Sequence, residues 1–307
     1  MPWTPVFAQR CALGESPFWH PCEQRLYWVD TPGCMVLRGD PHSGAVESWG
    51  MPSEPGCIAP ARNGGLVIAL RDGIYRAWTW AGALTQLVRF GHDSTTMRFN
   101  DGKCDALGRL WVGTLYEPRD APKANLYCID ARGGAAPRVE VKAQHATTAN
   151  GLAWSPDNRT IYWADTPAHV IHAWDFELES SAMRHHRTFQ EFAPKPAGWQ
   201  PGATGQPAYG GRPDGAAVDA EGHYYCAMFE GQRLCKFAPD GRLLDAIAVP
   251  ARCPTMPCFG GADLRTLYLT TASQRRPEAE LEEFPWSGQV LAMRVEVPGL
   301  PVHFFED

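Results

Sequence analysis

The fold is decided by the segment Leu26-Tyr27-Trp28-Val29-Asp30, the first of six short apolar segments that recur along the chain. The six segments begin at Leu26, Leu66, Leu110, Ile161, Tyr224 and Leu267. Their starts are 40, 44, 51, 63 and 43 residues apart, and turn-forming residues such as Asn63-Gly64-Gly65 precede them. Self-similarity at this period indicates a repeat architecture.

A second strand-like segment, alternating apolar and polar residues, follows each repeat. Examples are residues 126–130, followed by the turn Arg132-Gly133-Gly134, and residues 234–237, followed by Pro239-Asp240-Gly241. A unit of roughly 40–50 residues made of short strands is typical of a propeller blade, and six units take up nearly all 307 residues. The sequence therefore predicts an all-β fold, a single six-bladed β-propeller domain over residues 1–307.

Two segments depart from the repeat. Residues 3–10 precede the first unit, and we expect them to pair with the last blade and close the ring. Residues 193–212 form an insertion rich in glycine and proline, which predicts a long irregular loop. Because this loop lies just before a candidate ligand, Asp214, it is either a lid or a plain surface excursion.

Composition and charge exclude several classes of function. A net charge of −6 offers no basic surface for nucleic acid, and no apolar run approaches the length of a membrane span. The start, Met1-Pro2-Trp3-Thr4-Pro5, lacks the pattern of a secretory signal, so we expect a cytoplasmic protein. We also expect it to be a monomer or a weak homo-oligomer. The ten cysteines are scattered without a C-x-x-C pair, which favours reduced core residues over disulfides or zinc ligands.

The repeat also predicts where the innermost strand of each blade begins, about ten residues before each apolar segment. The segments at that phase are Gly14-Glu15-Ser16-Pro17, Pro55-Gly56-Cys57, Phe99-Asn100-Asp101-Gly102, Ala149-Asn150-Gly151, Pro213-Asp214-Gly215 and Phe259-Gly260-Gly261. We expect them to converge on one mouth of the central channel. Four of the six carry a carboxylate or carboxamide: Glu15, Asn100, Asn150 and Asp214.

Each of these residues taken alone is typical of a turn, since Asn-Gly and Asp-Gly are common turn pairs. Their recurrence at one phase favours a shared site, because two acids and two amides facing one cavity need a cation or substrate hydroxyls as partners. Oxygen donors favour one divalent metal ion, Ca²⁺, Mg²⁺ or Mn²⁺. Zn²⁺ and Fe²⁺ remain open, since three ligands with open positions also suit a catalytic site.

At these residues the sequence resembles the gluconolactonase family, also called the senescence marker protein or regucalcin family. The matching segments include Leu13-Gly14-Glu15-Ser16-Pro17, Arg98-Phe99-Asn100-Asp101-Gly102, Asn150-Gly151-Leu152-Ala153-Trp154 and Pro213-Asp214-Gly215. They occur in family order over about residues 13 to 272. The first segment has Ser16 where the family usually has glycine, and the long loop before Asp214 is a second departure.

The resemblance implies a six-bladed propeller and a set of site residues. It implies that Glu15, Asn150 and Asp214 are metal ligands and that Asp214 is also the general base. It further implies that Arg98 and Asn100 contact the substrate. Glu117 is the nearest candidate for a further substrate contact, although its spacing does not align cleanly with the family.

The function that we expect is hydrolysis of a sugar lactone, such as a glucono-, xylono- or arabinonolactone, to the aldonic acid. A lactone is an activated ester, so water aided by a metal ion and a base suffices to open it. The chain has no G-x-S-x-G elbow and no phosphate-binding loop. The alternatives are a phosphotriesterase-like hydrolase and a non-catalytic calcium-binding or protein-binding propeller. Arg98 and Asn100 favour an enzyme, because an ion site needs neither.

Overall fold

The computed structural model describes residues 2–134, 136–201, 203 and 205–307, and its strands form six four-stranded antiparallel sheets. These sheets are the blades of a ring. The short N-terminal strand is β1 (Thr4–Pro5). Blade one contains β2 (Gly14–His20), β3 (Arg25–Asp30), β4 (Met35–Gly39) and β5 (Val46–Gly50). Blade two contains β6 (Cys57–Pro60), β7 (Leu66–Leu70), β8 (Gly73–Ala77) and β9 (Thr85–Arg89).

The remaining blades follow in chain order. Blade three contains β10 (Met97–Cys104), β11 (Leu110–Tyr116), β12 (Ala124–Asp130) and β13 (Arg138–Ala146). Blade four contains β14 (Ala149–Trp154), β15 (Thr160–Asp165), β16 (Val170–Glu177) and β17 (Ala182–Glu191). Blade five contains β18 (Arg212–Val218), β19 (Tyr224–Phe229), β20 (Arg233–Phe237) and β21 (Leu243–Ala248). Blade six contains β22 (Pro254–Gly260), β23 (Thr266–Thr271) and β24 (Leu291–Arg294), with β1 as its fourth strand.

The prediction of an all-β, six-bladed propeller is therefore confirmed. In the described part of the chain the one helix is α1 (Glu278–Glu283), and at six residues it falls far short of a bilayer span. The first strands of the blades, β2, β6, β10, β14, β18 and β22, contact one another around the axis. All of them begin at the same end of the ring, which we call the mouth. The opposite end is the base.

The ring is closed by the N-terminal segment, as the sequence predicts. Thr4 faces Ala292 and Pro5 faces Leu291 in an antiparallel pair between β1 and β24. The buried Trp3 adds a hydrogen bond of 2.8 Å from its Nε1 to the carbonyl of Ala248 in blade five. The first and last parts of the chain thus share one sheet, which leaves no open seam in the ring.

Large aromatic side chains pack between neighbouring blades. Trp111 of blade three meets Trp154 of blade four with ring centroids 5.8 Å apart, and Trp19 of blade one stacks on Tyr268 of blade six at 5.9 Å. This packing agrees with the repeated tryptophans of the apolar segments. All ten cysteines are unpaired, as predicted. Eight of them are buried and belong to the core.

The C-terminal segment crosses the base of the ring. Gly299 bridges to Asp219 in blade five, and Phe305 bridges to Ala61 beside blade two. The carboxylate of Asp307 accepts a hydrogen bond of 2.6 Å from Nε of Arg76, whose side chain is fully buried. The segment therefore ties two non-adjacent blades together.

One prediction about register is wrong. The sequence analysis placed Phe259-Gly260-Gly261 at the mouth, but β22 begins at Pro254 and Gly260 is its last residue, at the base. Gly260 lies only seven residues before Leu267, whereas Asn100 and Asp214 lie ten residues before their apolar segments, so the predicted segment falls at the wrong end of the strand. The residues of blade six that begin the inner strand at the mouth are Pro254 and Thr255.

Candidate active site

A cavity of about 490 Å³ opens at the mouth of the ring, at the start of the inner strands. It is lined by all six residues that the sequence analysis assigned to a site: Glu15, Arg98, Asn100, Glu117, Asn150 and Asp214. These side chains come from blades one, three, four and five. The structure therefore brings together residues that lie up to about 200 positions apart in the chain.

A β-bulge at the start of five of the six inner strands places the polar residues of this cavity. In β10 the pairing with β11 slips between Phe99 and Gly102, so two residues face one. The same slip occurs in β2, β14, β18 and β22. A bulge bends its strand and changes the direction of the local side chains. β6 is the strand without a bulge, and its predicted segment, Pro55-Gly56-Cys57, carries no acid or amide.

The glycines beside these polar residues lie in strands and not in turns. A Cβ at Gly215 would overlap the side chain of Met256 in the next blade, and a Cβ at Gly102 would overlap the side chain of Cys57 in the preceding blade. The turn interpretation of the Asn-Gly and Asp-Gly pairs is therefore wrong. Glycine is needed here because neighbouring inner strands approach too closely for a side chain.

The two amides form one hydrogen-bonded chain with an arginine. Nη1 of Arg98 donates to Oδ1 of Asn100 at 2.9 Å, and Nδ2 of Asn100 donates to Oδ1 of Asn150 at 3.0 Å. Nδ2 of Asn150 then donates to Oγ1 of Thr166 at 2.8 Å. The amide oxygen of Asn150 has two lone pairs, so one is held by Asn100 and the other is free to face the cavity.

Thr166 belongs to a repeated device that the sequence analysis missed. Its hydroxyl donates to the carbonyl of Pro213 in the next blade at 2.7 Å, as Thr31 donates to Pro55 at 3.0 Å. Each threonine follows a strand ending in aspartate, within the matching segments Trp28-Val29-Asp30-Thr31 and Trp163-Ala164-Asp165-Thr166. That internal repeat is the signal that identifies Thr166 as a support of the site.

Glu15 and Asp214 are buried carboxylates without a basic partner. Over the described residues, no lysine, arginine or histidine nitrogen lies within 4.0 Å of either carboxylate. Burial raises the pKa of Glu15 well above its usual range, and the negative charges of Asp214 and Asp101 raise it further. Burial likewise raises the pKa of Asp214 to about 8, against the opposing charge of Arg212.

These residues fit a divalent metal ion. Two buried carboxylates and an oriented amide oxygen are hard oxygen donors, and a cation would offset the cost of burying their charge. Where residues are described, no cluster of three or more His, Cys, Asp or Glu side chains is arranged to hold a metal. The donor set therefore needs Asn150 as its third protein ligand, with the remaining positions left to water or substrate.

Glu117 lies at the edge of the cavity, beside two arginines. Its carboxylate pairs with Arg71, and its Oε1 lies 3.9 Å from Nε of Arg98. Glu117 is more exposed than the residues on the cavity floor. Its place beside Arg98 is compatible with a substrate contact at the rim.

The insertion before β18 lies against the rim of the cavity. Between Glu191 and Arg212 the described residues form no strand, as expected, although residues 202 and 204 lie outside the description. Lys195 binds Glu230 at 2.8 Å and lies over the ring of the buried Trp199, and Pro201 lines the cavity. The loop therefore contributes part of the cavity wall.

Comparisons with known proteins agree with this architecture. Residues 13–273 match the family model described as SMP-30/Gluconolactonase/LRE-like region. The chain is 40% identical to a 6-deoxy-6-sulfogluconolactonase of Pseudomonas putida, over 96% of this chain and 95% of that protein. It is 33% identical to a pentonolactonase of Haloferax volcanii, over 88% of this chain and 84% of that protein.

A solved structure shows the same fold. The chain superposes with a TM-score of 0.87 on a calcium-binding protein, regucalcin, from Agrobacterium tumefaciens, at 22% identity and with coverage of 99% and 97%. The family model covers most of the chain, and the six predicted site residues fall within the matched region. This chain belongs to the SMP-30/gluconolactonase/LRE-like family.

Proposed function

We propose that this protein is a lactonase that uses one divalent metal ion to hydrolyse a sugar lactone to its aldonic acid. The observation that carries the proposal is the pair of buried carboxylates, Glu15 and Asp214, that face one cavity without a basic partner. The lactonase names of the relatives from Pseudomonas putida and Haloferax volcanii support the same reaction.

Glu15, Asn150 and Asp214 would hold the metal ion. When bound, the ion supplies a Lewis acid for the lactone carbonyl and acidifies water. Asn100 and Thr166 keep the Asn150 amide oriented from opposite sides, at 3.0 and 2.8 Å. Hydrogen bonds therefore hold the Asn150 side chain in place before any substrate arrives.

Asp214 is the general base in this proposal. It takes a proton from water as the water oxygen forms a bond to the carbonyl carbon. It returns that proton to the ring oxygen as the bond between this oxygen and the carbonyl carbon breaks, so that one water is consumed and one acid is formed. A carboxylate has two oxygens, so the same side chain can serve as a ligand and as a base.

Arg98 and Asn100 position the substrate. Arg98 donates to the carbonyl of Phe99 at 2.8 Å and to Asn100, so its guanidinium is fixed and does not swing freely. The N–H groups that remain can donate to sugar hydroxyls. A group held in place before binding loses little entropy when substrate arrives, which favours orientation of the ring for attack.

The first test compares wild type with Asp214→Asn. Each protein is stripped of metal, reloaded in turn with Ca²⁺, Mn²⁺, Mg²⁺ or Zn²⁺, and assayed for acid release from glucono-, xylono- and arabinonolactone. Loss of the base should lower kcat by about 10²–10⁴-fold without unfolding the protein, as circular dichroism would show.

Asp245→Asn is the matched control, since Asp245 lies on the exposed strand β21, far from the cavity. It should hydrolyse the lactones as wild type does. Full activity of Asp214→Asn would remove Asp214 as the base. Absence of lactone hydrolysis by wild type with every metal would overturn the proposed function. A phosphotriester in the same panel tests the alternative chemistry.

A further inference from the structure

The rim of the cavity is rich in arginine, although the whole chain has a net charge of −6. The cavity is lined by five arginines, Arg98, Arg119, Arg212, Arg275 and Arg276, and by five carboxylates, Glu15, Glu54, Glu117, Asp214 and Glu230. A divalent cation held by Glu15 and Asp214 would offset two of the negative charges. The cavity would then carry an excess of two positive charges.

Most of the carboxylates at the rim are already paired. Glu230 binds Lys195 at 2.8 Å, Arg212 at 3.4 Å and Arg276 at 3.1 Å. Glu54 and Glu117 both bind Arg71, which enters from blade two. These carboxylates therefore have little capacity left for further arginines.

Arg119 and Arg275 have no such partner. Among the residues that the structure describes, no carboxylate lies within 4.0 Å of either guanidinium, and neither side chain donates a hydrogen bond. Arg119 lies between β11 and β12 of blade three, and Arg275 follows β23 of blade six. Both stand at the cavity and on different blades, so they reach it from separate sides.

The two unpaired arginines and Arg212 are close enough to influence one another. Burial lowers the pKa of Arg119, and the positive charges of Arg212 and Arg275 lower it further, while Asp214 opposes this effect. Arg119 and Asp214 also line the same cavity. Three like charges converge beside the substrate cavity with only one of them bound to a carboxylate.

We propose that the lactone substrate carries an anionic group, a phosphate, sulfonate or carboxylate, at the end of the sugar remote from the lactone carbonyl, and that Arg119 and Arg275 bind it. This proposal rests on the lactonase function proposed above and names its substrate class. In this proposal the lactone carbonyl lies at the bottom of the cavity, near Glu15 and Asp214. The other end of the sugar therefore faces the rim of the cavity. Guanidinium groups bind tetrahedral and planar anions through paired N–H donors, and Arg212 adds to the positive field.

A neutral sugar fits this rim less well. Its hydroxyls would accept hydrogen bonds from Arg119 and Arg275 but would leave their mutual repulsion in place. An anion bound between Arg119 and Arg275 offsets that repulsion and pairs with both guanidinium groups at once. The arrangement therefore favours anionic over neutral lactones of the same ring.

The test compares lactones that differ in one substituent. The panel is glucono-1,5-lactone, its 6-phosphate, its 6-deoxy-6-sulfonate, and glucaro-1,5-lactone for a carboxylate. Wild type should show a kcat/KM at least about tenfold higher for one of the anionic lactones than for gluconolactone. The anion with the highest value identifies the group that the site takes. Added salt should lower the ratio of kcat/KM for the anionic lactone to that for gluconolactone, because the arginines are partly exposed and salt screens their charge.

The variants are Arg119→Gln, Arg275→Gln and the double substitution. In each single variant the ratio of kcat/KM for the preferred anionic lactone to that for gluconolactone should fall about 10-fold, and further in the double variant. Arg242→Gln is the control, because Arg242 is exposed in the turn between β20 and β21 at the base. It should keep the wild-type ratio. A wild-type ratio near one, unchanged in the double variant, would overturn the proposal.

A binding measurement separates this proposal from the lactonase function. Isothermal calorimetry with inorganic phosphate and with sulfate should show binding to wild type that is lost in the double variant and kept in Arg242→Gln. If no lactone is hydrolysed but this pattern is found, the proposed reaction is wrong and the anion site stands. If gluconolactone is hydrolysed while neither the binding nor the anion preference is found, the reaction stands and the anion site is wrong.

Discussion

Glu15 and Asp214, from blades one and five, are buried in one cavity, and their burial is unfavourable unless a cation is present. Burial raises the pKa of both carboxyl groups, that of Asp214 to about 8. The folded protein without metal therefore binds more protons than the unfolded chain between about pH 4 and pH 8. Its stability falls as pH rises through that window and levels off above the folded pKa.

The predicted consequence is a pH-dependent effect of metal on thermal stability. Without metal, Tm should fall between pH 5.5 and 8.5, and saturating Ca²⁺ or Mn²⁺ should raise Tm more at pH 8.5 than at pH 5.5. Protons compete with the metal for the carboxylates at low pH, which is the reason for the difference. Differential scanning calorimetry with and without a chelator measures both effects. An equal metal effect at the two pH values would contradict this account.

Glu15→Gln isolates the contribution of one carboxylate. Removing a buried charge should raise the Tm of the metal-free protein at pH 8.5 by about 2 °C or more and should abolish the shift caused by metal. Glu179→Gln is the control, because Glu179 is exposed in the turn between β16 and β17. A metal-induced shift that survives in Glu15→Gln would mean that the ion is held elsewhere.

At the scale of elements, the bulged inner strands orient the side chains of the cavity, whereas β1 closes the ring. The bulges turn polar side chains toward the axis, while their glycines let neighbouring strands approach. β1 contributes only two residues to its sheet, so its hold on blade six depends on flanking side chains. Trp3 is 6% exposed and donates to Ala248, and Phe7 stacks on Trp28 at 5.0 Å.

Trp3→Ala should therefore weaken the closure of the ring. Loss of a buried tryptophan costs about 3–5 kcal/mol of unfolding free energy, and urea denaturation followed by fluorescence would measure it. Trp78→Ala is the control, since the Trp78 side chain is 54% exposed and should cost under about 1 kcal/mol. Similar losses in the two variants would show that ring closure does not depend on Trp3.

At the scale of the whole molecule, the C-terminal segment holds the base while the site occupies the mouth. Arg76 is fully buried, and its pairing with Asp307 satisfies a charge that has little access to water. The segment links blades two and five across the base through Phe305 and Gly299. The C-terminal segment and the proposed site thus lie at opposite ends of the ring.

Asp307→Ala should leave the Arg76 charge unpaired and cost about 3 kcal/mol of unfolding free energy, or roughly 5 °C in Tm. The kcat/KM for lactones should stay within about twofold, because the change is remote from the cavity. Adding Arg76→Met in the double variant should recover much of the lost stability. A large loss of kcat/KM in Asp307→Ala, with Tm unchanged, would contradict the separation of the two ends.

Much of the fold and site was accessible from the sequence because the blades repeat. Each blade has to bury a similar apolar strand and reverse the chain through similar turns, so local patterns reveal the number of blades and the start of most inner strands. Once that register is known, residues at one phase must meet near the axis. This reasoning identified Glu15, Asn100, Asn150 and Asp214, and the family resemblance added Arg98 and Glu117. All six line one cavity.

Other features were decided only where separate blades meet. The unpaired state of Arg119 and Arg275 depends on which side chains from separate blades share the cavity, and this leaves no local pattern in the sequence. Phe259 was wrongly placed at the mouth because its segment lies too close to Leu267, and the inner strand of blade six begins at Pro254. Sequence by itself determined the repeat and its polar phase, since burial and turn formation act over neighbouring residues. Tertiary structure decided which charges remain unpaired, since that depends on every side chain that shares the cavity.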